Sequence, residues 1–357
     1  MSRATTVPGA ADCHVLYVGD LSAGSTAEMR LRALEDLGYR VTGVNSATGR
    51  ISPRRQPLQY IAIKMRRPLD MAGVNRRIRR EGPQADILWI DKGVTIRPHA
   101  LRALRRAAPR VKIVGFSPDD MLNANMSSHF FRQTLPLYDL YLTTKSYNVA
   151  ELTALGCPRT IFVPNAYDPA THRPLPDDSE PIAYTADVGF IGTFEPDRAG
   201  LIERLAEAGV PVVIRGNDWQ AMRRRGIPGI TFLPESINDD YARALRTTRI
   251  NLAFLRKSNR DLQTTRSIEI PACGGFMLAE RTDEHRGLFA EGLEAEYFEG
   301  TEEMISKAKR YLADEPARQA VARAGRERCL NDDYSYAGRL RAALAEAGFA
   351  PPHPAHG

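Results

Sequence analysis

At 357 residues, 43% of them hydrophobic and 26% charged, the chain is too long for one core and has the balance of an ordinary globular protein of about two domains. No apolar run approaches the length needed to cross a bilayer, and the opening MSRATTVPGAAD lacks the apolar core of a signal peptide, so a cytoplasmic protein is expected. Cys13, Cys157, Cys273 and Cys329 are scattered with no CxxC pair, which argues against a zinc site and a disulfide framework, and the net charge of +6 is unevenly spread.

The first strand is HVLYVGD (14–20), a short apolar run ending in Gly-Asp. A helix with apolar spacing at Met29, Leu31, Leu34 and Leu37 follows and stops at Gly38, and RVTGVN is the second strand. That order opens a doubly wound sheet. Between Arg50 and Arg110 come 16 Lys or Arg against four acids (Asp70, Glu81, Asp86, Asp91), a local balance of +12. Such a block faces nucleic acid, an anionic membrane surface or an acidic substrate, or is a solvated arginine-rich surface.

Further strands are expected at 85–91, 110–117, 138–144 and 159–165, with the helix RPHALRALRRAA between the first two. SYNVAELTALG lies between the last two, with Ser146 as N-cap and Gly156 as its stop. DPATHRPLPDDSEP (168–181), with four prolines, is expected to be a linker. The α/β alternation then restarts, with strands at 186–193, 210–216, 249–255 and 275–279. The expected architecture is a Rossmann-like domain at 1–167, a second at 182–333, and a C-terminal helix and tail (334–357) returning to the first.

Two such domains would face each other across a cleft at the carboxyl ends of their strands, which suits a phosphate-bearing substrate. GDLSAGS is not a GxGxxG fingerprint, no acid ends the second strand, and GxxxxGKS is absent, which counts against nicotinamide and P-loop enzymes. In TTRSIEIPACGGFMLAE, Glu269 stands in an apolar segment where a charge is costly to bury. It either pairs with Arg266 one turn earlier or is held for a ligand.

RSIEIPACGGFMLAE (266–280) and FAEGLEAEYFEGTEEMISKAKRYLADEPARQAVARAGRERCL (289–330) resemble the CgeB-like, spore-maturation type glycosyltransferases of the GT-B group. DVGFIGTFEPDR, RINLAFLRKSN, KIVGFSPDD and the segment 138–174 are similar to the same family, so the resemblance covers most of residues 85–330. It implies a GT-B fold and transfer of a sugar from a nucleoside diphosphate sugar to a hydroxyl acceptor, with retention of configuration and no metal or other cofactor.

In that resemblance Glu269 matches the residue that binds the donor ribose, and Arg266, Lys257 and Arg198 are candidates for the diphosphate. Gly192 and Thr193 would sit at the phosphate end, where a tight strand-to-helix turn explains them equally well. The Gly274-Gly275 turn would let backbone approach the nucleotide. Asp261 matches a second family acid but is shorter and lacks the usual Gly-Phe-Gly turn, so loop capping is its other reading. Asp119 and Asp120 are catalytic candidates, with an N-cap and first-turn acid as the alternative, and Asp119 is the preferred one. Gly24 and Ser25 belong to the acceptor-side loop.

The acceptor is expected to be anionic or at a membrane surface, with peripheral association at the inner membrane face. A nucleic-acid-binding protein using the 50–110 block is the alternative, though few aromatics interleave its arginines. A nucleotide-sugar epimerase or a donor-binding pseudoenzyme on the same fold are the others.

Overall fold

The computed structural model describes residues 13–49, 51–175 and 182–349. They divide into two compact units, one of residues up to Pro164 together with those from Tyr336 on, and one of Asn165–Ser335.

The first unit carries β1 (His14–Gly19), α1 (Thr26–Asp36), β2 (Arg40–Asn45), α2 (Pro57–Lys64), α3 (Val74–Glu81) and β3 (Ile87–Asp91). It continues with α4 (Pro98–Ala107), β4 (Lys112–Ser117), α5 (His129–Thr134), β5 (Leu140–Thr143), α6 (Asn148–Ala154) and β6 (Thr160–Phe162). All six strands are parallel in the order β2-β1-β3-β4-β5-β6, so the winding reverses between β1 and β3. Leu16, Val18, Leu88, Ile90 and Ile113 from the strands meet Leu101, Leu104 and Phe131 from the helices in one core. Such a sheet is apolar on both faces, and Trp89 stacks between Tyr17 and Phe116 at 6.1 and 6.3 Å. The C-terminal helix, Tyr336–Glu346, packs on α1.

The second unit carries β7 (Ala186–Ile191), α7 (Pro196–Glu207), β8 (Val212–Arg215), α8 (Gln220–Arg225), β9 (Ile230–Leu233), α9 (Asn238–Arg246) and β10 (Thr248–Ala253). After these come α10 (Arg266–Ala272), β11 (Met277–Glu280), α11 (Asp283–Leu288), β12 (Glu296–Phe298), α12 (Thr301–Ala313) and α13 (Glu315–Asn331). Its parallel order is β12-β11-β10-β7-β8-β9, reversing between β7 and β10.

The doubly wound α/β reading therefore holds for both sheets. Three points differ in detail. The segment read as a linker is packed over its described part: Thr171, His172 and Leu175 are buried, and Asp168 accepts a hydrogen bond from the Thr171 hydroxyl at 2.6 Å. Its remainder, 176–181, lies outside the described residues. The cap of α6 falls at Tyr147 instead of Ser146. Finally, the basic block contains two helices that went unforeseen, α2 and α3. The second is held by Asp70, whose carboxylate accepts the backbone N–H groups of Val74 and Asn75, both at 2.8 Å.

Candidate functional site

In an open α/β sheet the crevice forms where the winding reverses, beyond the carboxyl ends of the strands. In the second unit that place is flanked by Gly192 and Thr193 after β7 and by Phe254 after β10. Arg198, from the first turn of α7, spans it: one nitrogen donates to the Thr193 carbonyl at 3.3 Å and another to the Phe254 carbonyl at 3.5 Å. Arg198 is 5% exposed, and its guanidinium lies 5.6 Å from the Phe190 ring. Burial, and then the adjacent Arg266 charge, push it below its ordinary value.

Arg266 opens α10 and donates through Nε to the Ile191 carbonyl. Gly192 is required beside it, because a Cβ there would meet the Phe190 ring at 2.7 Å and Arg266 Nη2 at 3.2 Å. Two guanidinium groups so close, one of them buried, make a place where an anion is favoured. Gly192, Thr193, Arg198 and Arg266 are thus brought together.

Glu269 is 5% exposed and does not pair with Arg266. The Tyr241 hydroxyl of α9 donates to its Oε2 at 2.5 Å, and His172 Nε2 stands 3.7 Å from its Oε1. His172 Nδ1 accepts the Asp168 backbone N–H at 3.0 Å, which places the ring proton on Nε2, facing the carboxylate. Neither partner was foreseen: His172 sits in the segment read as a linker, and Tyr241 is one of 13 tyrosines with no motif around it.

The remaining donor-side residues separate. Asp261 closes its own loop, accepting from the Arg256 backbone N–H at 3.3 Å and the Asn259 amide at 2.8 Å. Lys257 is 61% exposed and pairs with Glu280 at 2.8 Å, at the carboxyl end of β11. Gly274 and Gly275 lie elsewhere. They precede β11, at the amino-terminal edge of the sheet, whereas Gly192 follows β7 at the opposite edge. Packing explains Gly275, since a Cβ would come within 2.9 Å of both the Leu245 carbonyl and the Asn251 amide. The expected backbone approach to the nucleotide at these glycines is corrected accordingly.

In the first unit a pocket of about 890 Å³ opens at the reversal between β1 and β3. Asp119 lines it and pairs with Lys92 at 2.6 Å. Lys92 holds a left-handed φ of 63°, unusual for a residue with a long side chain. Asp120 instead is buried and structural in its contacts: its Oδ1 accepts the Leu122 N–H at 3.0 Å and the Asn148 amide at 3.1 Å. The two adjacent acids therefore do different things.

Ser25 also lines the pocket, with its hydroxyl capping α1 by accepting the Glu28 N–H at 3.1 Å. Glu28 Oε2 in turn accepts the Gly24 N–H at 3.0 Å, an arrangement akin to a capping box that explains this loop locally. The pocket floor holds a buried ion pair that the sequence did not reveal. Arg30 donates to both oxygens of Asp91 at 2.8 and 3.1 Å, and Tyr17 donates to the same carboxylate at 2.8 Å. Among the described residues no three His, Cys, Asp or Glu side chains gather as metal ligands would, and no helix is long and apolar enough to cross a membrane.

Residues 198–345 match the family model described as "Glycosyl transferase-like". No curated protein matches the chain. Sucrose-phosphate synthase from Thermosynechococcus elongatus is similar in structure over 94% of this chain and 99% of its own, with a TM-score of 0.64 at 13% identity. HepE from Anabaena, in complex with UDP and glucose, is similar over 94% of this chain and 100% of its own, with a TM-score of 0.63 at 11% identity. A Listeria monocytogenes protein described as a UDP-N-acetylglucosamine 2-epimerase reaches 0.56 at 14% identity, covering 95% of this chain and 98% of its own.

The fold is GT-B. The family match runs from α7 into the C-terminal helix, so this part of the chain, somewhat under half of it, is glycosyltransferase-like in sequence.

Proposed function

We propose that the chain transfers a sugar from a nucleoside diphosphate sugar to a hydroxyl acceptor with retention of configuration, as a CgeB-like glycosyltransferase and without a resident metal. The observation that carries this is the buried Arg198 bridging the carbonyls after β7 and β10 with Arg266 beside it. Two fixed cations at a sheet reversal stabilise a departing diphosphate without reorganising, which is the role a metal would otherwise take. Glu269 lies three residues along the same helix and retains lone pairs beyond the one Tyr241 uses, so ribose hydroxyls have acceptors there.

In the transfer, the bond from the anomeric carbon to the diphosphate oxygen breaks and a bond to the acceptor oxygen forms on the same face. The acceptor proton passes to the leaving phosphate oxygen. Asp119 in the pocket of the first unit would orient the acceptor, its charge balanced by Lys92.

The acceptor we infer is amphiphilic and met at an anionic membrane surface. Gln59, Ile63, Lys64 and Arg66 wall the pocket on one side. Of the eleven large apolar side chains exposed among the described residues, six lie between Leu58 and Met71. Apolar residues in a basic neighbourhood suit a surface that is both greasy and negative.

A thermal-shift screen of wild type and Glu269→Ala against UDP, GDP, ADP, CDP and dTDP tests the donor half. UDP comes first, because it occupies HepE. Stabilisation by one nucleotide, lost in the variant, is expected. No shift with any of them would sink the transferase reading.

A further inference from the structure

The arginines most conspicuous in the second unit are not those of the donor site. Arg246 at the end of α9, Arg249 in β10, and Arg318, Arg323 and Arg326 along α13 line one pocket of about 250 Å³, with Tyr184 in its wall. No Asp or Glu occurs among its described lining residues. Its rim includes Gly274 and Gly275, so it sits at the amino-terminal edge of the strands. The seven-residue helix α10, about 10 Å long, separates that edge from Arg266.

Local partners leave part of the Arg249 and Arg318 charge unmet. Arg246 donates to the Gly274 carbonyl at 3.1 Å, and Arg249 has Asp187 at 3.6 Å. Arg318 is 1% exposed, and its Nη1 donates to the Tyr311 carbonyl at 2.6 Å. Its Nε and Nη2 make no hydrogen bond, and the carboxylate nearest Nη2, that of Glu315, is 3.7 Å away. The Tyr184 ring lies 5.1 Å from the Arg249 guanidinium and 5.3 Å from that of Arg318, which steers both planes by cation–π contact.

A buried guanidinium with unmet donors, among four further arginines, is unfavourable unless an anion completes it. The planar fork of arginine matches phosphate oxygens two at a time. The volume falls below the usual range for drug-sized ligands, so a nucleoside diphosphate sugar is too large. A single phosphoryl group on a small body is not.

We propose that this pocket binds the phosphoryl group of a small molecule, inorganic phosphate or a phosphate monoester, at a site separate from that of the nucleotide sugar. Isothermal titration of the full chain with inorganic phosphate, glycerol 3-phosphate and UDP tests it in wild type, in the double variant Arg249→Gln/Arg323→Gln, and in Arg266→Gln. Both residues of the double variant are at least partly solvent-exposed, so the fold should survive, and circular dichroism checks this.

The expected result is at least tenfold weaker phosphate or glycerol 3-phosphate binding in the double variant and none of that loss in Arg266→Gln. UDP binding should show the reverse pattern. Tighter binding of glycerol 3-phosphate than of phosphate identifies a monoester, and equal binding identifies the free ion. Unchanged binding of both probes in the double variant, or no binding to wild type at millimolar concentration, overturns the proposal. If UDP fails to bind while the phosphate pattern holds, the donor reading falls and this one stands.

Discussion

The Tyr241 hydroxyl and Glu269 Oε2 are 2.5 Å apart, on two helices of the second unit. That bond offsets the desolvation of a carboxylate that the sequence places in an apolar run. Burial, followed by the Glu269 charge, holds the phenol well above its ordinary value, so Tyr241 remains a donor throughout the physiological range. Tyr241→Phe keeps the ring packing and removes the donor. We expect a loss of about 1–3 kcal/mol in urea unfolding, because the charge loses a hydrogen-bond donor. An unchanged midpoint would mean that His172 alone satisfies Glu269.

Arg266→Gln tests the anion site directly. Its Nε bond to the Ile191 carbonyl can be replaced by the glutamine amide, while the charge beside Arg198 is lost. UDP affinity should fall at least tenfold, about 1.4 kcal/mol, and depend less on salt. Equal affinity and equal salt dependence would show that the diphosphate is held elsewhere.

Asp119 and Asp120 are neighbours in sequence with separable roles. Asp119→Asn should lower kcat, measured with the donor the screen identifies, and leave thermal stability nearly unchanged, since the pair with Lys92 is partly exposed. Asp120→Ala strips acceptors from the Leu122 N–H and the Asn148 amide and should cost about 1–3 kcal/mol while sparing kcat at temperatures where the protein is folded. The opposite pattern would exchange the two assignments.

How far the sequence could be read depended on whether the information was local. Both sheets were legible because each β–α step is written in contiguous apolar runs, as in HVLYVGD. Arg198 and Arg266, which the fold brings together, lie in segments whose motifs stand out locally. Tyr241, His172 and the Arg30–Asp91 pair were not, because each acts through a partner dozens of residues away, and Asp91 is 61 positions from Arg30. Gly274-Gly275 misled for the same reason. A glycine pair signals close approach without saying of what, and here it is the Leu245 carbonyl and the Asn251 amide. Strand β12, of three residues, is too short for any alternation to show.

His285 gives a pH dependence with a definite sign. It is fully buried: Nδ1 donates to the Glu280 carbonyl at 2.6 Å, and Nε2 accepts from the Ser267 hydroxyl at 2.7 Å. Burial pushes it below its ordinary 6.5. The unfolded chain therefore takes up a proton at a pH where the folded protein does not. Its contribution is fully present above about pH 6.5 and is lost progressively as pH falls below that value. Urea midpoints at pH 7.5 and 5.5 should drop more for wild type than for His285→Gln. Parallel drops would assign the effect to other groups.

The segment from Leu58 to Met71 offers a last test. Gln59 ties its two arms together, accepting the Leu69 N–H at 2.8 Å and donating to the Leu69 carbonyl at 3.3 Å, so the exposed apolar side chains are carried on an anchored element. Leu58 and Ile61 are 74% and 53% exposed, and Lys64, Arg66 and Arg67 follow within six residues. Because both apolar side chains already face solvent, Leu58→Ser/Ile61→Ser should change stability by less than about 1 kcal/mol. It should release the protein from vesicles of phosphatidylglycerol and phosphatidylcholine in a co-sedimentation assay, while nucleotide-induced thermal shifts stay at wild-type size. Vesicles of phosphatidylcholine alone should retain neither form, since charge attraction and apolar insertion act together. Equal retention of wild type and variant on anionic vesicles would leave only a basic surface. The inferred amphiphilic acceptor would then lose its support.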